Sequence, residues 1–149
     1  QGSAYYPLGA RTVVAARLHL GSIVNGQIPE IPASQRFYAG GGGSVRGFGY
    51  QAVGPRLADN TPQGGLSLME ASVELRHRLS ERWGVVAFMD AGTIGGQQFP
   101  TFRELSVGAG LGVRYNLGFG PIRVDFATPL TSRRGQAPFQ AYVSIGQSF

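Results

Sequence analysis

The sequence predicts an all-β chain: an antiparallel segment of a transmembrane β-barrel with about seven to eight strands. Three observations predict it. Apolar and polar residues alternate with a period of two along most of the chain, and a helical period is nearly absent. The polar members of that alternation carry full charges and glycines, whereas the apolar members carry almost none, as lumen-facing and lipid-facing sides of a barrel do. Finally, short and long connections alternate without exception, which places all long loops on one side of the sheet.

The elements follow in order. A short strand ends near Tyr5-Tyr6, ahead of Pro7. From Thr12 to Ser22, Val14, Ala16, Leu18 and Leu20 share one face, with Ala15, Arg17 and His19 on the other. Between Leu68 and Leu79, Met69, Ala71, Val73, Leu75 and Leu79 oppose Glu70, Ser72, Glu74, Arg76 and Arg78; His77 breaks the apolar row near the strand end. Trp83 to Thr93 places Phe88 and Asp90 on one face and Val85, Ala87 and Met89 on the other. Leu105 to Leu117 alternates strictly, its second face being Ser106, Gly108, Gly110, Gly112, Arg114 and Asn116. Ile122, Val124 and Phe126 then oppose Arg123, Asp125 and Ala127, and Phe139, Ala141, Val143 and Ile145 oppose Gln140, Tyr142, Ser144 and Gly146. Several runs reach the roughly 9–11 residues of a tilted bilayer crossing, longer than the usual ~5–6 of soluble sheets.

Tight turns are expected at Pro7 to Ala10, Ser80 to Arg82 and Gly118 to Pro121. The long links run from Asn25 to about Gly65, from Ile94 to about Glu104, and from Pro129 to Pro138. A link of about forty residues without its own secondary structure implies function. This one holds Arg36-Phe37-Tyr38-Ala39, the unbroken row Gly40 to Gly43, and then Val45-Arg46-Gly47-Phe48.

Composition narrows the function classes. At 149 residues one domain suffices, and no apolar run approaches the ~20 residues of a membrane helix. The 24 glycines suit a tightly curved sheet, and the lack of cysteine removes disulfides and thiolate metal sites. All 13 basic residues are arginine, giving a net charge of +5, but they are scattered one or two to a strand. That scatter argues against nucleic acid, which calls for a basic patch with exposed aromatics, and for a polar lumen with paired charges. The start at Gln1, without methionine or signal pattern, predicts a processed chain or a piece of a longer one.

Enzyme motifs are missing. The glycine row is followed by Phe48 rather than by lysine with serine or threonine, so it is no phosphate loop. Gly108, Gly110 and Gly112 recur with strand spacing, which is sheet packing rather than a dinucleotide fingerprint. His19 and His77 lie on separate strands, and no serine sits in a hydrolase elbow. The expectation is a non-enzymatic protein with no cofactor and no metal.

In order along the chain, Arg36 to Gly41, Ser44 to Phe48, Tyr50-Gln51, Gly54-Pro55, Ser72 to Leu75, Phe88 to Gly92, Gly120 to Asp125, Ala127 to Leu130 and Val143 to Phe149 resemble the Omp85 superfamily of outer-membrane assembly and translocation barrels, closest to its TamA-like, BamA-related members. The resemblance implies that the long loop, the sixth external one in that family, folds back into the lumen. There Arg46 pairs with Glu74 and Asp90, Phe88 packs nearby, and Gly47 assists, with Val45 and Phe48 completing the motif. The alternative left open by the residues is a solvated Arg46, with the carboxylates paired to Arg76, Arg114 or Arg123.

The resemblance further implies that Val143, Ile145 and Phe149 form a C-terminal assembly signal, with Gly146 a bend. The last strand pairs weakly with the first as a lateral gate. Implied partners are the outer-membrane bilayer of a bacterium, nascent β-barrel or autotransporter clients, and the assembly machinery. The family has a sixteen-stranded barrel preceded by POTRA domains, so residues 1–149 correspond to the C-terminal half of such a barrel, with no POTRA pattern. Two copies joined edge to edge would regenerate a full ring, and one copy could also close alone. The alternatives are a small self-contained barrel serving as a binding or structural module, and a two-partner-secretion or patatin-linked barrel of the same superfamily.

Overall fold

A computed structural model describes residues 1–131 and 136–149; the centre of the Pro129-to-Pro138 link, residues 132–135, lies outside the described residues. Seven strands form one antiparallel sheet in chain order: β1 (Gly2–Pro7), β2 (Thr12–Ser22), β3 (Ser67–Arg78), β4 (Trp83–Gly95), β5 (Ser106–Asn116), β6 (Pro121–Pro129) and β7 (Gln140–Ile145). Among the described residues there is no α-helix; three short 3-10 turns lie at Ile28–Glu30, Ala33–Gln35 and Phe102–Glu104. β1 and β7 do not pair with each other, so the sheet is open and a single copy is not closed into a ring. The two outer edges each present unpaired backbone groups, which hydrocarbon does not tolerate.

Period-two patterning sorts the side chains to two unlike faces. The concave face buries Arg17, Glu70, Ser72, Glu74, Asp90, Ser106, Arg114, Arg123 and Asp125. The convex face leaves Val73, Leu75, Met89, Leu111, Phe126 and Val143 exposed. This inverts the arrangement of a soluble sheet, as expected where lipid covers the outside and polar contents fill the inside.

The long link is not structureless. Its residues pair at Phe37 with Gly65, at Ala39 with Val53 and at Arg56 with Pro62, and it folds back onto the concave face. There Ala39, Val45, Phe48 and Val53 of the loop pack with Leu68 of β3 and Ile94 of β4 as an apolar cluster. A second cluster, Val86, Phe88 and Ala127 with Tyr142 against it, lies on the same face.

The glycine stripe of β5 makes room for this packing. Gly108 lies directly beneath the Arg46 carbonyl, and a β-carbon on Gly110 would stand 2.6 Å from Cζ of Phe88. On Gly112 it would run into the Asp125 carboxylate and stand 2.6 Å from Arg114 Nη1. The three glycines are a floor for the loop and its charged surroundings.

Candidate functional site

The register of β3, β4, β5 and β6 assembles a buried acidic cluster. Ser72 lies opposite Asp90, Glu74 opposite Phe88, and Gly112 opposite Asp125. Each of these residues is on the concave face of its strand, so Glu74, Asp90 and Asp125 converge with at most 1 % of their surface exposed. Three carboxylates cannot be buried together without cations.

Arg46 enters this cluster from the loop and is itself only 2 % exposed. Its Nε and Nη2 donate to the two oxygens of Asp90 at 2.6 and 2.8 Å, a two-pronged pair suited to the planar guanidinium. Its Nη1 donates to Glu74 at 2.6 Å and stands 3.6 Å from Asp125 Oδ2. The Arg46 backbone amide adds a bond to Asp90 at 3.0 Å. The guanidinium carbon sits 3.5 Å from the Phe88 ring centroid, a cation–π contact in a desolvated site. Burial works against the Arg46 charge. The Asp90 hydrogen bond and the charges of Asp90 and Glu74 more than offset it, and its pKa is raised above the ordinary arginine value.

Arg46 is buried rather than solvated, and the other arginines named in that alternative pair with the carboxylates beside it. Glu74 also accepts from Arg76 Nε at 2.7 Å, and Asp125 from Arg114 Nη1 at 2.6 Å, with Arg123 Nε 3.6 Å away. Arg114 and Arg123 face each other across β5 and β6. Like charges in that position repel, and Asp125 beside both offsets the repulsion.

Gly47 has a φ of +99°, and a β-carbon there would lie 2.9 Å from the Thr128 carbonyl oxygen. Glycine is needed on both counts. Its amide donates to the Tyr142 hydroxyl at 3.1 Å, and that hydroxyl donates to the Phe48 carbonyl at 2.7 Å. Val45 and Phe48 are wholly buried. The glycine row exposes backbone carbonyls that need donors, and lumen arginines supply them. Arg17 donates to Gly43 and Ser44 at 3.1 and 3.2 Å, and Arg123 to Gly42 at 2.6 Å. The Ser44 hydroxyl donates to Glu70.

Sequence reasoning did not single out Arg17, Glu70, Ser72, Asp125 or Tyr142 for this site. The usable signal was parity, since all five fall on the polar face of their strands.

The chain end reaches the same cluster from the concave face. β7 stops at Ile145, and Gly146, at φ +100°, turns the tail inward. Ser148 Oγ donates to Glu74 at 2.7 Å, and Arg76 Nη2 donates to the Phe149 carbonyl at 3.1 Å. The Phe149 ring lies 5.0 Å from the Arg76 guanidinium and 5.4 Å from that of Arg17. Val143 and Ile145 remain on the convex face, so the structure does not bring them together with Phe149.

Comparison with known proteins places these features in a family context. The model of the Omp85 superfamily domain matches residues 1–149. The chloroplastic outer envelope protein 39 of Arabidopsis thaliana is 36 % identical over 121 residues, covering 75 % of this chain and 30 % of that protein. The outer membrane protein assembly factor BamA of Nitratidesulfovibrio vulgaris is 27 % identical across 98 % of this chain and 19 % of its own length. Among solved structures, BamA from Haemophilus ducreyi lacking POTRA domains 1–3 superposes with a TM-score of 0.72 at 25 % identity, covering 93 % of this chain and 32 % of that one. The chain thus spans a fifth to a third of the length of these relatives.

Proposed function

Because the chain belongs to the Omp85 superfamily, and is therefore a segment of an integral outer-membrane β-barrel, we propose that it forms the C-terminal sheet of a barrel that inserts or translocates other outer-membrane proteins. The chemistry is strand pairing, with no bond made or broken in the client and no cofactor. A single observation supports this reading best. The loop bearing Val45-Arg46-Gly47-Phe48 is seated inside the sheet, with Arg46 bonded to Glu74 of β3 and Asp90 of β4.

In this reading the loop is locked into the lumen by Arg46, Glu74 and Asp90, with Phe88 and Gly47 supporting, and it stiffens the wall behind the gate. The outer edge of β7 offers backbone donors and acceptors to an incoming client strand, the general mode of strand addition. Val143 and Ile145 lie towards lipid beside it, and Gly146 lets the edge bend away. Clients of matching chemistry are nascent β-barrel or autotransporter strands, and assembly machinery is the partner that reads the C-terminal segment.

The absence of cysteine from the chain makes a clean test. Single cysteines at Tyr142, Val143 and Ser144 are paired with a cysteine series along the last strand of a urea-unfolded outer-membrane barrel, in lipid vesicles. Disulfides that form in one strand register at β7, and not from a cysteine at Met89 in mid-sheet, are the expected result. Equal yields at β7 and Met89 would sink the gate reading.

A further inference from the structure

The convex surface at the short-turn end carries a cluster that the lumen chemistry leaves unused. The turn between β3 and β4 is rigidly built. The Leu79 and Ser80 amides donate to the Trp83 carbonyl at 2.9 and 3.1 Å, the Trp83 amide donates to Ser80 Oγ at 3.1 Å, and the Asn116 amide donates to the Arg82 carbonyl at 2.7 Å. From this turn Arg82 reaches Tyr115, its Nη1 donating to the phenol oxygen at 3.3 Å. Trp83 is the cross-strand partner of Tyr115, and their rings meet edge-on with centroids 4.8 Å apart. Arginine, indole and phenol therefore form one fixed group on the lipid-facing side.

The surroundings are cationic and apolar together. Arg11 and Arg78 are also exposed on this rim, and Glu81 is the sole carboxylate in the three short turns. Among the described residues, Arg11, Arg78 and Arg82 form no ion pair. Leu8, Leu79 and Phe119 project from the same turns and are more than half exposed.

A spanning sheet sets its turns at headgroup depth, where tryptophan and tyrosine are favoured because one end is apolar and the other wet. At that depth a guanidinium with free donors meets phosphate, to which its planar fork is matched. A soluble acidic partner fits less well, since the cation sits beside leucine, tryptophan and phenylalanine that lipid would cover.

We propose that Arg82, Trp83 and Tyr115 bind the phosphate headgroup of an anionic phospholipid in the leaflet on the short-turn side, with Arg11 and Arg78 adding attraction at longer range. The site rests on the bilayer placement of the sheet and is independent of the assembly role.

Trp83 is the only tryptophan in the chain, so its fluorescence reports on this site alone. The chain is reconstituted in phosphatidylcholine vesicles holding equal fractions of nitroxide-labelled phosphatidylglycerol or nitroxide-labelled phosphatidylcholine, the label close to the headgroup. The expected result is preferential quenching by the phosphatidylglycerol label, with roughly fivefold higher relative affinity, the scale of one arginine at a membrane surface. Arg82→Gln should remove that preference while quenching by the neutral lipid persists, and Arg82→Lys, which keeps the charge without the planar fork, should restore only part of it. Far-UV circular dichroism checks that the variants keep the sheet.

Equal quenching by the two lipids would overturn the proposal, and quenching by neither would overturn the bilayer placement beneath it. A preference lost equally with Arg11→Gln would assign it to diffuse charge. A preference abolished by inorganic phosphate at matched ionic strength would assign the site to a free anion. Either of these results also overturns the proposal.

Discussion

Replacing Arg46 with alanine is the sharpest perturbation of the proposed lock, because the three carboxylates around it do not suffer equally. Glu74 keeps Arg76 and Ser148, each at 2.7 Å, and Asp125 keeps Arg114 at 2.6 Å. Asp90 loses both side-chain donors from Arg46 and keeps the Ser72 hydroxyl and a backbone amide. The variant therefore leaves one buried carboxylate without a cation, which costs about 3–5 kcal/mol. The same variant also loses the cation–π contact with Phe88. If the loop relieves that charge by leaving the lumen, its open population rises by more than about 100-fold, at tenfold per 1.4 kcal/mol. Hydrogen exchange at the Gly47 amide, which is bonded to Tyr142 in the closed loop, reads that population directly. Adding Asp90→Asn to Arg46→Ala removes the stranded charge and should recover about 0.5–3 kcal/mol, the usual coupling between contacting residues. Gly47 exchange that stays within a few-fold of wild type, with no recovery in the double variant, would refute the reasoning.

Two further perturbations act on the same loop through its backbone. Gly47→Ala meets both the left-handed φ of +99° and the Thr128 carbonyl 2.9 Å from the new carbon, so a loss of about 1–3 kcal/mol is expected. It should appear as a lower urea midpoint followed by Trp83 fluorescence. Tyr142→Phe strips the donor from the Phe48 carbonyl and the acceptor from the Gly47 amide, leaving each short of a partner at about 1–3 kcal/mol apiece. Exchange should quicken at residues 47 and 48 while the amides pairing β3 with β4 keep their protection.

The strands were legible because a period of two survives wherever two faces meet different surroundings. Thr12–Ser22 is observed with the bounds that its alternation predicts, and β4 runs on past Thr93 to Gly95. Parity also put Glu74, Asp90 and Asp125 on the polar side. Parity alone did not say which cation each would meet, since that depends on depth within the lumen and on the path of a loop without periodicity; the pairing of Arg46 with Glu74 and Asp90 came only from the family resemblance. The glycine row illustrates the difficulty, as its conformation is set by Arg17 and Arg123, distant in sequence and bonded to bare carbonyls. Gly146 was readable as a bend, but its direction was not, because the Ser148–Glu74 and Phe149–Arg76 contacts that draw the tail inward are tertiary. The stripe Gly108, Gly110 and Gly112 was readable as sheet packing, and only the folded loop reveals what packs there.

The choice of ions rather than hydrocarbon for the seat of Arg46 has a physical logic of its own. A buried ion pair can often be replaced by apolar residues of equal volume with no loss of stability, so stability alone does not account for an arginine among three acids. What distinguishes the ionic seat is its behaviour on opening. An apolar plug withdrawn from a barrel exposes its surface to water at ~25 cal/mol per Å² with nothing returned. Withdrawn charges regain hydration, which refunds much of their desolvation cost once both partners are wet. The apolar part of the seat is accordingly grouped apart, as Val45 and Phe48 pack with Leu68 and Ile94 while Arg46 takes the acids. A loop held this way is firm while its cation and acids are all buried, and its release is eased as soon as water reaches them. In the proposed gate, that combination would let the wall hold its shape until a strand is added at its edge.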